Sequence, residues 1–113
     1  MGARRRPGPH AREAVERASE VLVSTVSFAE IGVEVAIGKL TVPADLYRAV
    51  LAAGVRVLGL TPEHGLAVAD LPLHHRDPFD RLLVAQARAE RLTLVTADPG
   101  IRQYDVPVID ATT

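Results

Sequence analysis

Three acidic residues stand near points where an apolar run passes into a helix-forming stretch. Glu30 follows VLVS, Asp80 lies in the first turn of FDRLLVAQARAER, and Asp98 follows LTLV. In a parallel sheet the carboxyl ends of the strands lie at one edge, so acids far apart in sequence are expected to converge there. Convergent carboxylates repel one another unless a cation neutralises them. The three acids are therefore candidate metal ligands.

The available ligand types limit which metal such a site would hold. The chain has no cysteine, and adjacent His74 and His75 cannot both point the same way on a regular element, which favours a pair in a loop over a zinc site. His64 has no neighbour in the sequence that would activate it, and we assign it no role. Oxygen ligands favour Mg²⁺ or Mn²⁺, and such ions suit hydrolysis of phosphodiester bonds.

Each acid also has a purely structural interpretation, which is the more frequent one on spacing alone. Asp77 before Pro78 is typical of a helix N-cap, and Asp80 in the first turn would stabilise the helix dipole. Asp98 before Pro99 is likewise typical of an N-cap, and Glu30 fits a solvent-facing helical position. Spacing leaves both interpretations open.

The elements that must position these acids follow from periodicity and capping signals. We predict helices over residues 10–20, over residues 28–40 with Ser27 as N-cap, over residues 43–53 ended by Gly54, and after Thr61 and Asp77. Strands are predicted over residues 21–23, 55–60, 92–95 and 106–109. Strands that alternate with helices indicate an α/β fold with a parallel sheet flanked by helices.

Composition limits the class of protein further. With 113 residues, of which 48% are hydrophobic and 4% aromatic, the chain fits one domain with an aliphatic core. We expect a disordered arm over residues 1–9 and a single domain over residues 10–113. The absence of a signal or membrane segment favours a cytoplasmic protein. The net charge of -1 means that local arginines would have to hold any nucleic acid. Candidates for phosphate contact are Arg76, Arg81 and Arg88, for which a position on a solvated face is the equally good alternative.

The stretch LPLHHRDPFDRLLVAQARAERLTLVTADPGIRQYDVPVI closely resembles the C-terminal half of VapC-type PIN-domain toxins. The resemblance continues upstream through VRVLGLTPEHGLAVAD and VLVSTVSFAEIGVEVAIGKLTVPADL. It implies a PIN-like three-layer fold and a Mg²⁺- or Mn²⁺-dependent endoribonuclease that cleaves tRNA or ribosomal RNA. It also implies a cognate antitoxin and a homodimer, to which Val33, Val35 and Ile37 would contribute.

Residue by residue, the resemblance assigns catalytic, metal-binding roles to Glu30, Asp80 and Asp98, with Asp77 as an outer helper. The family usually opens with a strand that ends in Asp-Thr, whereas this chain opens with GARRRPGPH. The first metal-binding aspartate therefore has no counterpart, and we expect an N-terminally incomplete domain. Because the family's first strand is central, its loss would leave two unpaired inner edges, a gap and lower stability. The alternative function is a catalytically inactive module that binds an antitoxin or a toxin.

Overall fold

The computed structural model describes residues 8–73, 77–96 and 98–112. Helices and strands alternate along these residues, which confirms the predicted α/β class. The helices are α1 Pro9–Arg17, α2 Thr25–Ala36, α3 Leu46–Ala52, α4 Pro62–Ala67 and α5 Pro78–Glu90. The strands are β1 Leu22–Ser24, β2 Arg56–Leu58, β3 Leu94–Thr96 and β4 Val108–Asp110. Short 3₁₀ helices cover Val68–Asp70 and Pro99–Gln103.

Helix α2 begins three residues earlier than its sequence pattern predicted, and the choice of Ser27 as its N-cap was wrong. The cap is Ser24, whose backbone is extended and whose hydroxyl accepts from the Val26 N–H at 3.0 Å. Ser27 is buried inside the helix. Two serines three residues apart are equally good caps in sequence, and the end of β1 at Ser24 decides between them.

Several other boundaries also differ from the predicted ones. Strand β2 covers Arg56–Leu58 rather than residues 55–60, and Arg56 is exposed and paired with Glu20 at 2.8 Å. Helix α3 starts at Leu46 rather than at Pro43 and ends before Gly54, whose φ of 81° places it in the left-handed region. Glycine adopts that conformation without a steric penalty, and its role as a stop signal is confirmed.

Within the described residues the strands form two separate parallel pairs instead of one continuous sheet. In the first pair, Leu22 of β1 lies opposite Arg56 of β2. In the second, Leu94 of β3 lies opposite Val108 of β4. The parallel direction of the strands is as predicted, whereas one continuous sheet is not seen among the described residues.

The main hydrophobic core lies on the β3–β4 side of the molecule. It joins α5 to the segment around the first 3₁₀ helix and to the turn after β3, through Leu71, Val84, Ala85, Ile101 and Tyr104. Leu94 and Val108 from the two strands pack against this cluster. Helix α5 contributes its buried face to the core and also contacts α2 and α4. It is the helix that connects the two halves of the fold.

Arg81 of α5 holds the core cluster together with hydrogen bonds. Its guanidinium is buried and donates to the carbonyl oxygens of Pro72 at 2.8 Å and Val68 at 3.1 Å, and to the hydroxyl of Tyr104 at 3.1 Å. These partners occupy the planar donor group that a phosphate would need. Arg81 is therefore a structural residue, and its selection as a phosphate contact was wrong. Arg88, two helical turns later on α5, is exposed.

Two predictions fall wholly or partly outside the described residues. Residues 1–7 of the expected disordered arm lie outside them, whereas the Gly8 N–H donates to the Ala111 carbonyl at 2.9 Å and Pro9 begins α1. His74, His75 and Arg76 also lie outside the described residues. Among the helices that the structure describes, none has the length and apolar character needed to cross a membrane.

Replacing Arg81 with Met should destabilise the protein strongly, because the carbonyl groups of Val68 and Pro72 and the Tyr104 hydroxyl would lose a charged donor that Met cannot replace. We expect the free energy of unfolding to fall by about 3 kcal/mol, measured by urea denaturation. Arg88→Met removes the same charge from an exposed position of the same helix and should change it by less than about 0.5 kcal/mol. Equal losses in the two variants would contradict the structural role of Arg81.

Candidate metal centre

Three carboxylates meet at the N-terminal end of α5. One oxygen each from Glu30, Asp77 and Asp80 lies within 4.8 Å of the others. Glu30 comes from the second turn of α2, while Asp77 and Asp80 come from the cap and first turn of α5. Glu30 and Asp80 are buried. Residues that lie far apart in sequence are thus brought together, as the sequence analysis expected of an acidic cluster.

Asp98 joins the same cluster through Asp80, because the two carboxyl groups share a hydrogen bond. Asp98 follows β3, and its backbone N–H donates to the Thr96 hydroxyl at 3.1 Å. That bond fixes the chain just beyond the end of the strand. All four acids singled out in the sequence therefore lie together at the N-terminal end of α5.

Two of these acids, Asp77 and Asp98, also cap helices, so their structural interpretation holds as well. The solvent-facing position considered for Glu30 was wrong, because Glu30 is buried. The Asp77 Oδ1 accepts from the Phe79 N–H at 2.9 Å and is 3.5 Å from the Asp80 N. The Asp98 Oδ1 accepts from the Gly100 N–H at 2.8 Å. A carboxylate has two oxygens and several lone pairs, so capping is compatible with a second contact. Capping in addition fixes the orientation of each carboxyl group.

Burial perturbs the central acid of the cluster. It raises the pKa of Asp80 from 3.8 to about 6, and the charges of Asp77 and Asp98 and the hydrogen bond that protonated Asp80 makes with Asp98 act in the same direction. A buried carboxylate beside other carboxylates is harder to ionise because its charge is poorly solvated and is repelled by its neighbours. A divalent cation among these groups would reverse the effect of the neighbouring charges.

The donor set fits a hard divalent cation. The oxygen atoms of Glu30, Asp77 and Asp80 come from three separate carboxylates, and each of these residues offers one ligand atom to the group. Mg²⁺ binds oxygen at about 2.1 Å and Mn²⁺ prefers the same ligand type, so ligands on opposite sides of an ion are about 4 Å apart. The three ligand atoms lie within 4.8 Å of one another, which is compatible with that span.

His64 has a structural role that sequence reasoning missed. His64 is buried, and its Nδ1 accepts from the Thr61 backbone N–H at 3.1 Å. The backbone N–H of His64 donates to the Thr61 hydroxyl, so the two residues form a capping box at the start of α4. Because Nδ1 is an acceptor, the ring proton lies on Nε2, 3.1 Å from the Glu90 carboxylate. The signal in sequence was Thr61 three residues before His64, in a pattern usually completed by Glu or Gln.

Comparison with known proteins adds independent information about this site. A sequence profile of the family described as "PIN domain" matches residues 3–107. Ribonuclease VapC22 of Mycobacterium tuberculosis (strain ATCC 25618 / H37Rv) is 33% identical over 100 residues, which cover 86% of this chain and 77% of that protein. No solved structure matches the chain significantly.

The raised pKa of Asp80 predicts how a neutral replacement changes stability with pH. The folded state holds the Asp80 proton up to about pH 6, whereas the carboxyl group of the unfolded chain loses it near pH 3.8. The free energy of unfolding therefore falls as pH rises from 3.8 to about 6. Above this range the folded protein bears the full cost of ionising Asp80. Without divalent metal at pH 8, Asp80→Asn should raise the free energy of unfolding by up to about 3 kcal/mol.

Thermal unfolding of both proteins at pH 8 and pH 4 measures this difference. The gain from Asp80→Asn should disappear at pH 4, where the wild-type carboxyl group is already protonated in the folded state. Asp70→Asn, at an exposed acid, is the control and should have little effect at either pH. A gain of equal size at both pH values would show that ionisation of Asp80 is not its cause.

Proposed function

Because this chain belongs to the PIN-domain family, we propose that it is the ribonuclease toxin of a toxin–antitoxin pair and that it hydrolyses RNA phosphodiester bonds with Mg²⁺ or Mn²⁺. The observation that carries the proposal is the buried cluster of Glu30, Asp77 and Asp80 at the start of α5. A relative that carries the name ribonuclease supports the reaction class.

In this proposal Glu30, Asp80 and Asp98 hold the ion, and Asp77 supports them from the helix cap. When bound, the ion would withdraw charge from the scissile phosphate and acidify the attacking water. The residues of the chain then act mainly by positioning. The capping bonds of Asp77 and Asp98 fix two carboxyl groups, and burial of Glu30 and Asp80 limits their movement.

The proposed RNA substrate, tRNA or ribosomal RNA, must be held locally. The formal net charge of the chain is -1, which provides no overall attraction for phosphates. Arg88 remains a candidate contact because it is exposed on α5. The bound ion would supply the remaining positive charge at the acidic cluster itself.

Two protein partners belong to the same proposal. The first is a cognate antitoxin, which the resemblance of the sequence to VapC-type toxins implies. The second is another copy of the chain, which would contact the apolar surface of α2 and the residue that follows it. Val33, Val35 and Ile37 are 47%, 42% and 61% exposed, and a surface of this kind is stabilised by a partner.

A second candidate function is a binding module without useful nuclease activity. One observation favours it over a generic alternative. Within the described residues the two strand pairs are separate, and strand edges without a neighbour are a common place of contact with another protein.

Cleavage of total tRNA in the presence of Mg²⁺ tests the enzymatic proposal. Asp80→Asn, Asp98→Asn and Glu30→Gln should each reduce the cleavage rate by more than about 100-fold, because loss of a direct ligand exceeds the usual effect of an outer-shell change. Asp77→Asn keeps a capping side chain and should cost less. Asp70→Asn is the control at an exposed acid. Cleavage that survives both EDTA and Asp80→Asn would exclude this site.

A version of the chain with an added strand separates the two candidate functions. An apolar strand ending in Asp, joined before Met1, supplies the acid that the family resemblance implies. We expect this version to cleave tRNA faster than the original chain, and faster than a matched version whose strand ends in Asn. If none of the three cleaves but all retain a partner, such as an antitoxin, the binding module is the better description.

A further inference from the structure

Asp98 and Tyr104 stand at opposite ends of one short element. The second 3₁₀ helix covers Pro99–Gln103, with Asp98 as its N-cap and Tyr104 as its C-cap. The Asp98 Oδ1 accepts from the Gly100 N–H at 2.8 Å, and the Tyr104 N–H donates to the Ile101 carbonyl at 3.1 Å. A short helix that is closed by hydrogen bonds at both ends transmits the position of one end to the other. The position of Tyr104 therefore influences that of Asp98.

Arg81 connects this element to the helix that carries Asp77 and Asp80. It follows Asp80 directly on α5, and its backbone N–H donates to the Asp77 carbonyl at 3.1 Å. Its guanidinium donates to the Tyr104 hydroxyl at 3.1 Å. One side chain thus joins the Tyr104 hydroxyl to the turn of α5 that presents Asp77 and Asp80.

The guanidinium of Arg81 is itself held in one position. It is buried, and it also donates to the carbonyl oxygens of Pro72 at 2.8 Å and Val68 at 3.1 Å. A planar group with several partners in different directions has little freedom to rotate. The nitrogen that donates to Tyr104 is therefore a fixed point, and the length of this bond limits where the tyrosine ring can lie.

Apolar packing alone would define the position of the tyrosine ring less well. Ile101 and Tyr104 belong to the core cluster together with Val84 and Ala85 of α5. Apolar contacts are not directional, so the segment could slide along the helix with little change in buried surface. A hydrogen bond from a charged donor has a preferred length and direction. The bond between Arg81 and Tyr104 therefore fixes the position that packing leaves open.

The position of Asp98 relative to Asp80 decides whether both can bind one ion. The two carboxyl groups are already in hydrogen-bond contact. Mg²⁺ binds oxygen at about 2.1 Å in a nearly ideal octahedron, so a displaced ligand binds it less well. Residues that hold a metal ligand in place typically change metal affinity about 10- to 100-fold when they are replaced.

We propose that Tyr104 is a positioning residue of the metal centre. Through its hydrogen bond with Arg81 it holds the carboxylate of Asp98 at the distance from Asp80 that a divalent cation requires. This role rests on the metal centre of the proposed function, but it does not require that the chain cleaves RNA. Because Tyr104 acts through Arg81 and the 3₁₀ helix, its loss weakens ion binding and removes no ligand.

Tyr104→Phe tests this role because it removes the hydroxyl and keeps the ring. Mn²⁺ binding to the metal-free full chain is measured by isothermal titration calorimetry, below the unfolding temperature of every variant. We expect the dissociation constant to rise at least about tenfold. Tyr47→Phe is the matched control, since it removes the same hydroxyl from a tyrosine that is 56% exposed, and it should leave the constant unchanged. An unchanged constant for Tyr104→Phe would overturn the proposal.

Gln86→Met separates positioning from a general loss of stability. Gln86 is another buried polar residue of α5, but its amide donates to the Gly59 carbonyl, on the β2 side of the helix, at 3.2 Å. Its replacement should lower Tm without changing the Mn²⁺ dissociation constant. The rise in Tm at a fixed Mn²⁺ concentration should shrink only in Tyr104→Phe, because that rise follows the affinity for the ion. Equal weakening of Mn²⁺ binding in both variants would show that Tyr104 acts only through stability, and would overturn the proposal.

A double-variant cycle tests whether Tyr104 acts through Arg81. Arg81→Met removes the donor, so it should weaken Mn²⁺ binding at least as much as Tyr104→Phe. The combined variant should bind Mn²⁺ no more weakly than Arg81→Met alone, because both changes remove the same hydrogen bond. Effects that multiply would overturn the proposed route. If Arg81→Met does not fold, the comparison of Tyr104→Phe with Gln86→Met decides the question.

Two reference measurements distinguish failure of this role from failure of the metal centre itself. The unaltered chain should bind Mn²⁺, and Asp80→Asn should remove that binding. If the unaltered chain does not bind Mn²⁺, or if Asp80→Asn binds it as tightly, the metal centre is wrong and the role of Tyr104 falls with it. If both behave as expected and Tyr104→Phe binds normally, the metal centre stands and only the role of Tyr104 is overturned.

Discussion

Carboxylates packed together at the start of α5 impose the constraint on which the rest of this structure depends. Glu30, Asp77 and Asp80 place oxygen atoms within 4.8 Å of one another in a largely buried position. Such an arrangement is electrostatically unfavourable without a cation. The fold offsets part of this cost with the N-terminal end of α5, where backbone N–H groups and the helix dipole favour negative charge. The remainder is reflected in the raised pKa of Asp80.

Helix α5 can tolerate this cost at its first turn because its later turns are firmly held. Arg81 binds carbonyl groups of the segment before α5 and the hydroxyl of Tyr104, and Val84 is fully buried in the core. Further along, the Gln86 amide donates to the Gly59 carbonyl at 3.2 Å, which connects α5 to the segment after β2. One helix therefore carries the acidic cluster, the core and the link between the two strand pairs.

The sequence predicted those features that depend on local signals. The caps at Asp77 and Thr61, the stop at Gly54 and the strand-to-helix order needed only neighbouring residues. The convergence of Glu30 with Asp80 followed from a general property of parallel sheets. Arg81 was misassigned because a buried guanidinium and a phosphate-binding one have the same local sequence. Its role depends on carbonyl groups of Val68 and Pro72, whose positions only the folded chain reveals.

The separation of the strand pairs has a consequence for the acidic cluster. Glu30 follows β1 and Asp98 follows β3, yet within the described residues no ladder joins these strands. The distance between the two acids is therefore set by the packing of α2 against α5 and by the contacts around Asp80. Helix packing is less directional than a hydrogen-bonded ladder, since side chains can adjust. The spacing of the acids is therefore set by side-chain packing, and by thermodynamic reciprocity a cation that binds at one spacing would stabilise the packing of α2 against α5 that provides it.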